Sequence, residues 1–428
     1  MSKYVVAIDL GTTKIVSIVG EKTENGRYNI LDYSEVPSYG IRRGEVENIG
    51  KVTNAVIPTL EKIKAKMQIE IKNVYVGIAG QHITCVENRI ERIRHRYDEL
   101  ITKEEIITLE EDAGKLHLNP ETEILHIIPR HYSVDEKNDI IDPVGRLGNK
   151  LAGHFYVITG HKSTRIHTSI CMERLNLSLQ KLILEPIASA RTTLNEEEKE
   201  AGVIMIDIGG GTTDLIIYKD QKIIHTAVIP FGGNIITDDI KEGCGILQAQ
   251  AEQAKIKFGL SAKDNNDDLL EIEGINGRPP RNIPLKTISS IISSRLNEIV
   301  DMVMAEIEKA KCTGLNLGIV VTGGVSKMKG IKDFLQKKTG MVVKIGTPDH
   351  IINDPADNIF HPKYATAVGL IMCGFDHLEN SPPPLPPPPP PLLTPPFTPP
   401  PLPVTSWWSR AWDAVITFMG PQKEERND

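Results

Sequence analysis

The residues best suited to chemistry lie in two short segments, each with an aspartate at the end of an apolar run and a glycine–threonine turn after it. The first reads DLGTTK and the second DIGGGTTD. Glycine lets backbone amides approach a phosphate closely, and threonine hydroxyls add further donors. An aspartate at such a turn can hold water around a phosphate-bound Mg²⁺, which keeps several waters. The candidates are Asp9, Gly11, Thr12, Thr13, Lys14, Asp207, Gly209, Gly210, Gly211, Thr212 and Thr213.

A DxG segment can also be an ordinary hairpin turn, and one copy alone leaves both interpretations open. Two copies in matching contexts favour phosphate binding. Lys14, directly after the first turn, can reach phosphate oxygens. A dinucleotide site of the Rossmann type is weakly supported, because no GxGxxG follows the first strand with an acidic residue ~20 positions later.

A third glycine-rich element follows a predicted strand at 318–321 and precedes a predicted helix from Lys329. It contains Gly323, Gly324 and Ser326, and a strand that leads through two glycines into a helix suits a nucleotide ring or phosphate. The predicted helix at 251–258 carries Glu252 and Lys255 on one face, where they can hold an adenosine or form a solvated salt bridge.

The elements that position these residues are repeated along the chain. Apolar runs at 4–10, 15–19 and 28–36 are separated by turns, and the same order returns at 203–208, 215–218 and 223–229. Each set predicts a three-stranded meander, followed by helical patterns and further strands. The predicted fold class is therefore α/β, with two related lobes that face each other across a cleft.

Composition limits the classes of function. The chain has 428 residues and a net charge of −7, which argues against extensive nucleic-acid binding. Its five cysteines never occur in CxxC spacing, so neither a disulfide framework nor a zinc site is expected. The run of Arg89, Arg92, Arg94 and Arg96 is expected to be a solvated strand edge. With no signal segment and no apolar run of ~20 residues, the body is expected to be cytosolic.

The C-terminal segment predicts a spacer and an anchor. Of the 29 prolines, 15 lie between Pro382 and Pro403, so this stretch favours extended polyproline II, which reaches ~70 Å at ~3.1 Å per residue. A ligand for a proline-binding domain is the alternative.

Residues 406–420 form an amphipathic pattern that predicts a helix lying in the membrane interface. Docking of this helix on the body or in a partner groove is the alternative. Its apolar half contains Trp407, Trp408, Ala411, Trp412, Val415, Ile416, Phe418 and Met419.

Taken together, the motifs resemble the actin, Hsp70 and sugar-kinase superfamily and, within it, the FtsA family of cell-division proteins. DLGTTK and DIGGGTTD resemble its phosphate loops, TGGVSKMKG its adenosine motif, LEPIASA its first connecting helix and YATAVGL its last helix. Similar to FtsA in particular are GIRRGEVENI, VGIAGQHI, DPVGRLGNKLAGHFYVITG and GINGRPPRNI. The match runs in order from about residue 4 to about residue 375.

The resemblance implies an actin-like body of duplicated ribonuclease H-type lobes with an FtsA-type insertion. The implied regions are 1–82 with 164–200 (first lobe core), 83–163 (inserted subdomain), 201–230 with 313–378 (second lobe core), 231–312 (outer subdomain), 379–404 (proline-rich linker), 405–420 (membrane helix) and 421–428 (polar tail).

ATP with Mg²⁺ is the implied cofactor, and Gly232 and Gly233 join its implied contacts. Glu185 and Thr212 match positions that orient the attacking water in relatives. Turnover is expected to be weak or absent, with ATP chiefly stabilising a closed cleft.

The resemblance also implies partners. They are the C-terminal tail of FtsZ, bound on the lobe at 231–312 with Arg295 as a candidate, further copies of the chain, membrane lipid, and other division proteins through residues 83–163. Arg295 can equally be a plain surface cation. The implied location is the cytoplasmic face of the membrane at the division site. A shape-determining filament of the MreB type and a small-molecule kinase remain the alternatives.

Overall fold

The computed structural model describes residues 4–80, 82–95, 98–260, 268–274, 279–312, 314–350 and 357–380. Most of the predicted linker, the whole predicted membrane helix and the polar tail lie outside the described residues, and so do the candidate membrane residues Trp407, Trp408, Trp412, Val415, Ile416, Phe418 and Met419.

The described chain alternates strands with helices. The strands are β1 (Val5–Leu10), β2 (Lys14–Lys22), β3 (Tyr28–Pro37), β4 (Ile41–Arg42), β5 (Glu45–Val46), β6 (Asn73–Ile78), β7 (Thr84–Ile93), β8 (Thr122–Val134), β9 (Lys137–Ile140), β10 (Lys150–His161), β11 (Ser178–Leu184), β12 (Val203–Ile208), β13 (Thr213–Lys219), β14 (Lys222–Ile229), β15 (Leu269–Ile272), β16 (Arg281–Pro284), β17 (Ile319–Thr322) and β18 (Val343–Ile345). The helices are α1 (Ile49–Met67), α2 (Lys103–Ala113), α3 (Lys162–Arg174), α4 (Glu185–Thr193), α5 (Glu196–Ala201), α6 (Gly233–Cys244), α7 (Gln248–Phe258), α8 (Leu285–Lys309), α9 (Ile331–Thr339) and α10 (Ala365–Asn380).

Two five-stranded sheets have the same topology. The first has the order β11-β6-β1-β2-β3 and the second the order β18-β17-β12-β13-β14. In each sheet the first strand of the meander pairs antiparallel with the second strand and parallel with a later one. The predicted duplication is confirmed.

Helices cover both faces of the first sheet, because successive residues of β1 point to opposite sides. Val5 and Ala7 pack in a core with α10, whereas Val6 and Ile8 pack in a core with α1 and α3. A strand buried on both faces reads as a continuous apolar run, which is why this pattern was visible in the sequence.

Local signals set several helix ends. The side chain of Asn48 accepts a hydrogen bond from the Lys51 amide at the start of α1, and Thr102 and Glu105 form a capping box at the start of α2. A 3₁₀ turn at Gly324–Lys327 follows β17, so α9 begins at Ile331 rather than at the predicted Lys329. The helix predicted at 251–258 begins earlier, at Gln248.

The segment between the halves of the first lobe forms its own antiparallel sheet, with the order β7-β10-β8-β9 and α2 packed on it. Here one prediction was wrong. Arg94 is not on a solvated edge, since its guanidinium is buried and donates to Glu105, to the Gly148 carbonyl and to the Glu99 carbonyl. Arg89 and Arg92 are half-exposed on the edge strand β7, as predicted, and Arg96 lies outside the described residues.

Within the described part of the chain, no helix has both the length and the apolar content that a membrane span requires.

Candidate functional site

Two neighbouring cavities lie where the two sheets face each other. The larger, of ≈ 300 Å³, and the smaller, of ≈ 150 Å³, share several lining residues. The shared residues come from all three glycine-rich turns and from the segment before α10, and they are Thr13, Gly209, Gly210, Gly324 and Lys363. The three turns that the sequence singled out therefore surround one continuous site.

Four carboxyl groups line the smaller cavity. Asp9 and Asp207 lie near the ends of β1 and β12, Asp214 follows in β13, and Glu185 begins α4. All four are buried. Like charges in one desolvated site disfavour ionisation, so the group as a whole is costly to keep negative without a cation.

The pKa values of three of these carboxyls reflect that cost. Burial, followed by the charges of Asp9, Asp214 and Asp207, raises the pKa of Glu185 well above its ordinary value. Burial and the charges of Asp207 and Asp9 do the same to the pKa of Asp214. The pKa of Asp207 is also raised, by burial first, although hydroxyl donors from Ser189 and Thr366 oppose the shift.

Asp214 leaves one polar atom without a partner. Its Oδ1 is buried and has no hydrogen-bond partner among the residues that the structure describes. A buried polar atom left unpaired costs about 1–3 kcal/mol. An orphaned carboxylate oxygen beside three other carboxyls fits a site built to receive a hydrated cation.

Two lysines supply positive charge at the edge of the carboxyl group. The Lys14 Nζ lies 3.3 Å from Asp9 Oδ2. Lys363, from the segment before α10, lines both cavities, and its Nζ lies 3.0 Å from Glu35 Oε2. Both ammonium groups are placed to meet an anion that enters the cavities.

Glycines allow the loops to approach one another. A Cβ atom on Gly210 would lie 2.2 Å from Thr13 Cγ2, and one on Gly211 would lie 2.4 Å from Thr12 Oγ1. Gly323 has a φ of +85°, which favours glycine, and a Cβ there would lie 2.3 Å from Asp207 Oδ1. The absence of a side chain at these positions lets the loops approach one another closely.

Lys255 and Glu252 lie on the wall of the larger cavity with Gly233. The Lys255 Nζ lies 2.7 Å from Glu252 Oε2 and donates to the Gly233 carbonyl at 2.9 Å and to Thr237 Oγ1 at 2.8 Å. Burial lowers the pKa of Lys255. Lys255 is therefore a buried part of the cavity wall, whereas the Glu252 side chain is partly exposed. The contact of the pair with an adenosine stays a prediction.

Three predicted site residues are not among those that line the two cavities and support the loops instead. Thr213 donates its hydroxyl to the Phe231 carbonyl, and Ser326 donates to the Gly323 carbonyl. Gly232 precedes α6 and packs against the backbone of the second turn. These residues brace the loops. Gly11, Thr12 and Thr212 line the smaller cavity as predicted.

The structure adds site residues that the sequence interpretation did not select: Asn234 and His361 in the larger cavity, Asp214 and Thr366 in the smaller, and Lys363 in both. The sequence offered a reason to select Asp214, because it is the last residue of the DIGGGTTD segment. In the structure it lies opposite Asp207 in the pairing of β12 with β13. For Lys363 and Thr366 no local spacing points to the cleft.

Arg295 is not among the residues that line the two cavities. On α8, its Nε and Nη2 donate to Asp239 at 2.6 and 3.0 Å, and its Nη1 contacts Glu298. It is thus an ion-paired surface group, and its contact with a partner stays a prediction.

The chain resembles known families in two regions. Residues 204–369 match the family model described as "Cell division protein FtsA", and residues 80–159 match the model described as "SHS2 domain inserted in FTSA". The second match overlaps the predicted inserted subdomain at 83–163.

Curated relatives are similar over almost the whole described chain. "Cell division protein FtsA" of Neisseria meningitidis serogroup B is 33% identical over 374 residues, which cover 86% of this chain and 89% of the relative. The protein of the same description from Escherichia coli K12 is 32% identical over 382 residues, covering 87% of this chain and 90% of the relative.

Solved structures show the fold. A chain of the "PilM-PilN type IV pilus biogenesis complex" has a TM-score of 0.58 at 13% identity and covers 86% of this chain and 98% of its own. MreB5 of Spiroplasma citri bound to ADP has a TM-score of 0.53 at 16% identity, covering 89% of this chain and 99% of its own. These structures show the actin-like fold, an SHS2 domain is inserted in it, and the predicted fold class is confirmed.

Proposed function

Because this chain belongs to the FtsA family of cell division proteins, we propose that it binds ATP with Mg²⁺ in the cleft, assembles with further copies of itself in an actin-like manner, and tethers FtsZ polymers to the cytoplasmic face of the membrane at the division site. The nucleotide is the part of this proposal that the described residues support most directly.

The observation that carries nucleotide binding is the convergence of three glycine turns on joined cavities, one of them lined by buried carboxyls. Glycine turns offer backbone donors to phosphates, and Lys14 and Lys363 lie at the same cavities to balance their charge. The unpaired Asp214 Oδ1 and the raised pKa values favour a cation nearby. MreB5 of Spiroplasma citri, which has this fold, is described as bound to ADP and to AMPPNP.

Each group has a role in this proposal. Asp9 and Asp207 hold Mg²⁺ through water, which suits a cation that keeps most of its hydration shell. When bound, Mg²⁺ neutralises charge on the phosphates and on the carboxyls. The larger cavity, with Glu252 and Lys255 on its wall, receives the nucleoside.

Slow turnover or none is part of this proposal, with ATP serving mainly to stabilise the closed cleft. Glu185 and Thr212 are the residues proposed to orient the attacking water. Burial and the charges of Asp9, Asp214 and Asp207 raise the pKa of Glu185 in the nucleotide-free chain.

Binding of a fluorescent ATP analogue, with Mg²⁺ and with EDTA, tests this part of the proposal. We expect tighter binding with Mg²⁺, and loss of that gain in Asp207→Asn. Asp301→Asn, a surface change at a residue paired with Lys338, is the control and should behave as wild type. Absence of analogue binding by the wild-type protein would refute the nucleotide site.

Anchoring is proposed for residues 405–420 through a proline-rich spacer at 379–404. The three tryptophans of the chain all lie within residues 405–420, and Arg410 is the one cationic residue of that segment. Binding should therefore be mostly hydrophobic and only weakly sensitive to salt. A single interfacial helix is a marginal anchor, whereas many helices on one assembled filament bind with high avidity.

Co-sedimentation of the full chain with liposomes tests anchoring, with and without ATP and an FtsZ tail peptide. Trp408→Glu and Trp412→Glu each place a charge on the apolar half of the predicted helix and should abolish sedimentation. Thr417→Glu places the same charge on the polar half and is the matched control, which should still sediment. If both tryptophan variants sediment as wild type does, the helix is not the anchor.

The surfaces proposed to bind partners are inferred from membership of the FtsA family. The lobe at 231–312, with Arg295 on α8, is proposed to receive the FtsZ tail, and residues 83–163 are proposed to receive other division proteins. An acidic or neutral substitution at Arg295 should weaken binding of the FtsZ tail peptide without changing binding of the ATP analogue, because Arg295 does not line the cavities.

A further inference from the structure

A buried pair of hydroxyl groups holds one oxygen of Asp207. Ser189 Oγ donates to Asp207 Oδ2 at 2.7 Å, and Thr366 Oγ1 donates to the same oxygen at 3.2 Å. The two hydroxyl oxygens lie 2.9 Å from each other. Ser189 is fully buried and Thr366 nearly so, so water does not replace these contacts easily. Hydrogen bonds to an ionised group are among the stronger ones in proteins.

The two hydroxyls come from different helices whose crossing fixes their spacing. Ser189 lies on α4 and Thr366 on α10. A Cβ on Gly369 of α10 would lie 1.9 Å from the Ala188 carbonyl oxygen, so the two backbones are in direct contact. Thr192 adds a bond from its hydroxyl to the Ala365 carbonyl at 3.1 Å. The crossing leaves little freedom to either hydroxyl.

This crossing connects Asp207 to the opposite lobe. α10 packs in one core with β1 and β2 of the first sheet, whereas Asp207 belongs to β12 of the second. With Oδ2 held by two hydroxyls, Oδ1 is the oxygen left for the cavity, beside Gly323.

Asp9, the equivalent aspartate of the first lobe, is held differently. Its Oδ2 lies 3.3 Å from the Lys14 ammonium, which offsets its charge. Neutral hydroxyls orient Asp207 without cancelling its charge. The two aspartates are therefore held differently, Asp9 by an ammonium group and Asp207 by two neutral hydroxyls.

We infer that Ser189 and Thr366 are positioning residues, which orient Asp207 toward the divalent cation of the bound nucleotide and make cation affinity depend on the α4–α10 crossing. This inference rests on the proposed binding of ATP with Mg²⁺. It concerns the dependence of binding on Mg²⁺, and not the binding of the nucleotide as such.

The test titrates Mg²⁺ against a fixed concentration of a fluorescent ATP analogue and separately measures binding of the analogue in EDTA. In the double variant Ser189→Ala/Thr366→Val, the Mg²⁺ concentration at half-saturation should rise at least about tenfold, as expected for the loss of hydrogen bonds to a charged group. Affinity in EDTA should change less than about threefold. Thr366→Ser, which keeps the hydroxyl, should stay within about threefold of wild type in both measurements.

Thr193→Val is the matched control. It removes a buried hydroxyl on the same helix that donates to the Ser189 carbonyl within α4, instead of to Asp207 or to α10. Its Mg²⁺ dependence should equal that of wild type. Should the double variant not fold, as judged by circular dichroism, the comparison of Thr366→Val with Thr366→Ser decides the question.

Three results would overturn the inference: an unchanged Mg²⁺ dependence in the hydroxyl-deficient variants, an equal loss of affinity with Mg²⁺ and with EDTA, or the same shift in Thr193→Val. Failure of this inference differs from failure of the proposed nucleotide binding. In the second case the wild-type protein would bind no analogue at all, and the inference would then be refuted as well.

Discussion

At the scale of single residues, the site concentrates negative charge where burial makes it costly. Asp9, Glu185, Asp207 and Asp214 lie around one small cavity, and burial raises the pKa of the last three. A carboxyl whose pKa is raised by folding contributes stability below its unfolded pKa of ~4, and that stability is lost as pH rises through the folded pKa. The contribution of these three carboxyls to the stability of the nucleotide-free protein should therefore fall as pH rises above about 4.

Asp214→Asn tests how much the burial of several carboxyl groups in one cavity destabilises the nucleotide-free protein. The substitution removes the titrating carboxyl and its interaction with Asp207, so the nucleotide-free variant should be more stable than wild type at neutral pH. Below about pH 4 the two proteins should converge, because the wild-type carboxyl is then neutral. Thermal unfolding in EDTA between pH 4 and pH 8 measures the difference. A variant that is less stable than wild type throughout would contradict this account of the site.

At the scale of elements, the inserted sheet depends on a buried guanidinium. Arg94, just after β7, donates to Glu105 at the start of α2 and to the carbonyls of Glu99 and Gly148. It thus joins strand, helix and connecting loop at one point. Loss of this guanidinium would leave the Gly148 and Glu99 carbonyls without its bonds and Glu105, which is partly exposed, without its ion pair; hydrogen bonds to a charged group contribute about 1.5–3 kcal/mol.

Arg94→Ala should accordingly destabilise the inserted subdomain by about 1.5–3 kcal/mol. Arg89→Ala is the matched control, since Arg89 belongs to the same arginine run but is half-exposed and pairs with Glu91 on the surface. Exposed pairs contribute less than about 1 kcal/mol. Urea unfolding, combined with limited proteolysis between residues 83 and 163, measures both effects. Equal sensitivity of the two variants would argue against the buried role of Arg94.

At the scale of the whole described body, the two lobes touch around the mouth of the cleft. Thr12 and Thr13 contact the glycines of the second turn. The guanidinium carbon of Arg43, on the loop between β4 and β5, lies 5.7 Å from the centre of the Phe231 ring at the base of the second lobe. A cation over an aromatic ring at an exposed site contributes about 0.5–1 kcal/mol. This contact joins the two lobes close to the smaller cavity, which is lined by Gly44, the residue after Arg43.

Loss of the contact should speed release of the nucleotide. Arg43→Gln and Phe231→Leu each remove one partner, and release of a fluorescent ATP analogue should become roughly 2–5 times faster, the equivalent of about 0.5–1 kcal/mol. Arg42→Gln, at the neighbouring arginine that pairs with Glu47, is the control and should leave the rate unchanged. Stopped-flow displacement measures the rates. Wild-type rates in both contact variants would show that the cleft closes without this pair.

Local features explain how much of the protein was predictable from its sequence. The two meanders were visible because strands buried on both faces read as apolar runs, and the turns were visible because close backbone approach requires glycine. Asp9, Asp207 and the three turns could therefore be selected without a structure. Arg94 was misjudged, because a spacing of two residues along a strand does not reveal where the strand ends.

The sequence by itself determined the duplicated lobes, the glycine turns and the aspartates that precede them, since these depend on hydrogen bonding and periodicity within a few residues. Only the tertiary structure decided that Lys363, Thr366 and Ser189 serve the same cavity or its aspartate. Thr366 reaches Asp207 from 159 residues further along the chain, through the crossing of two helices. Such contacts follow from the packing of distant segments, and no spacing in the chain encodes them.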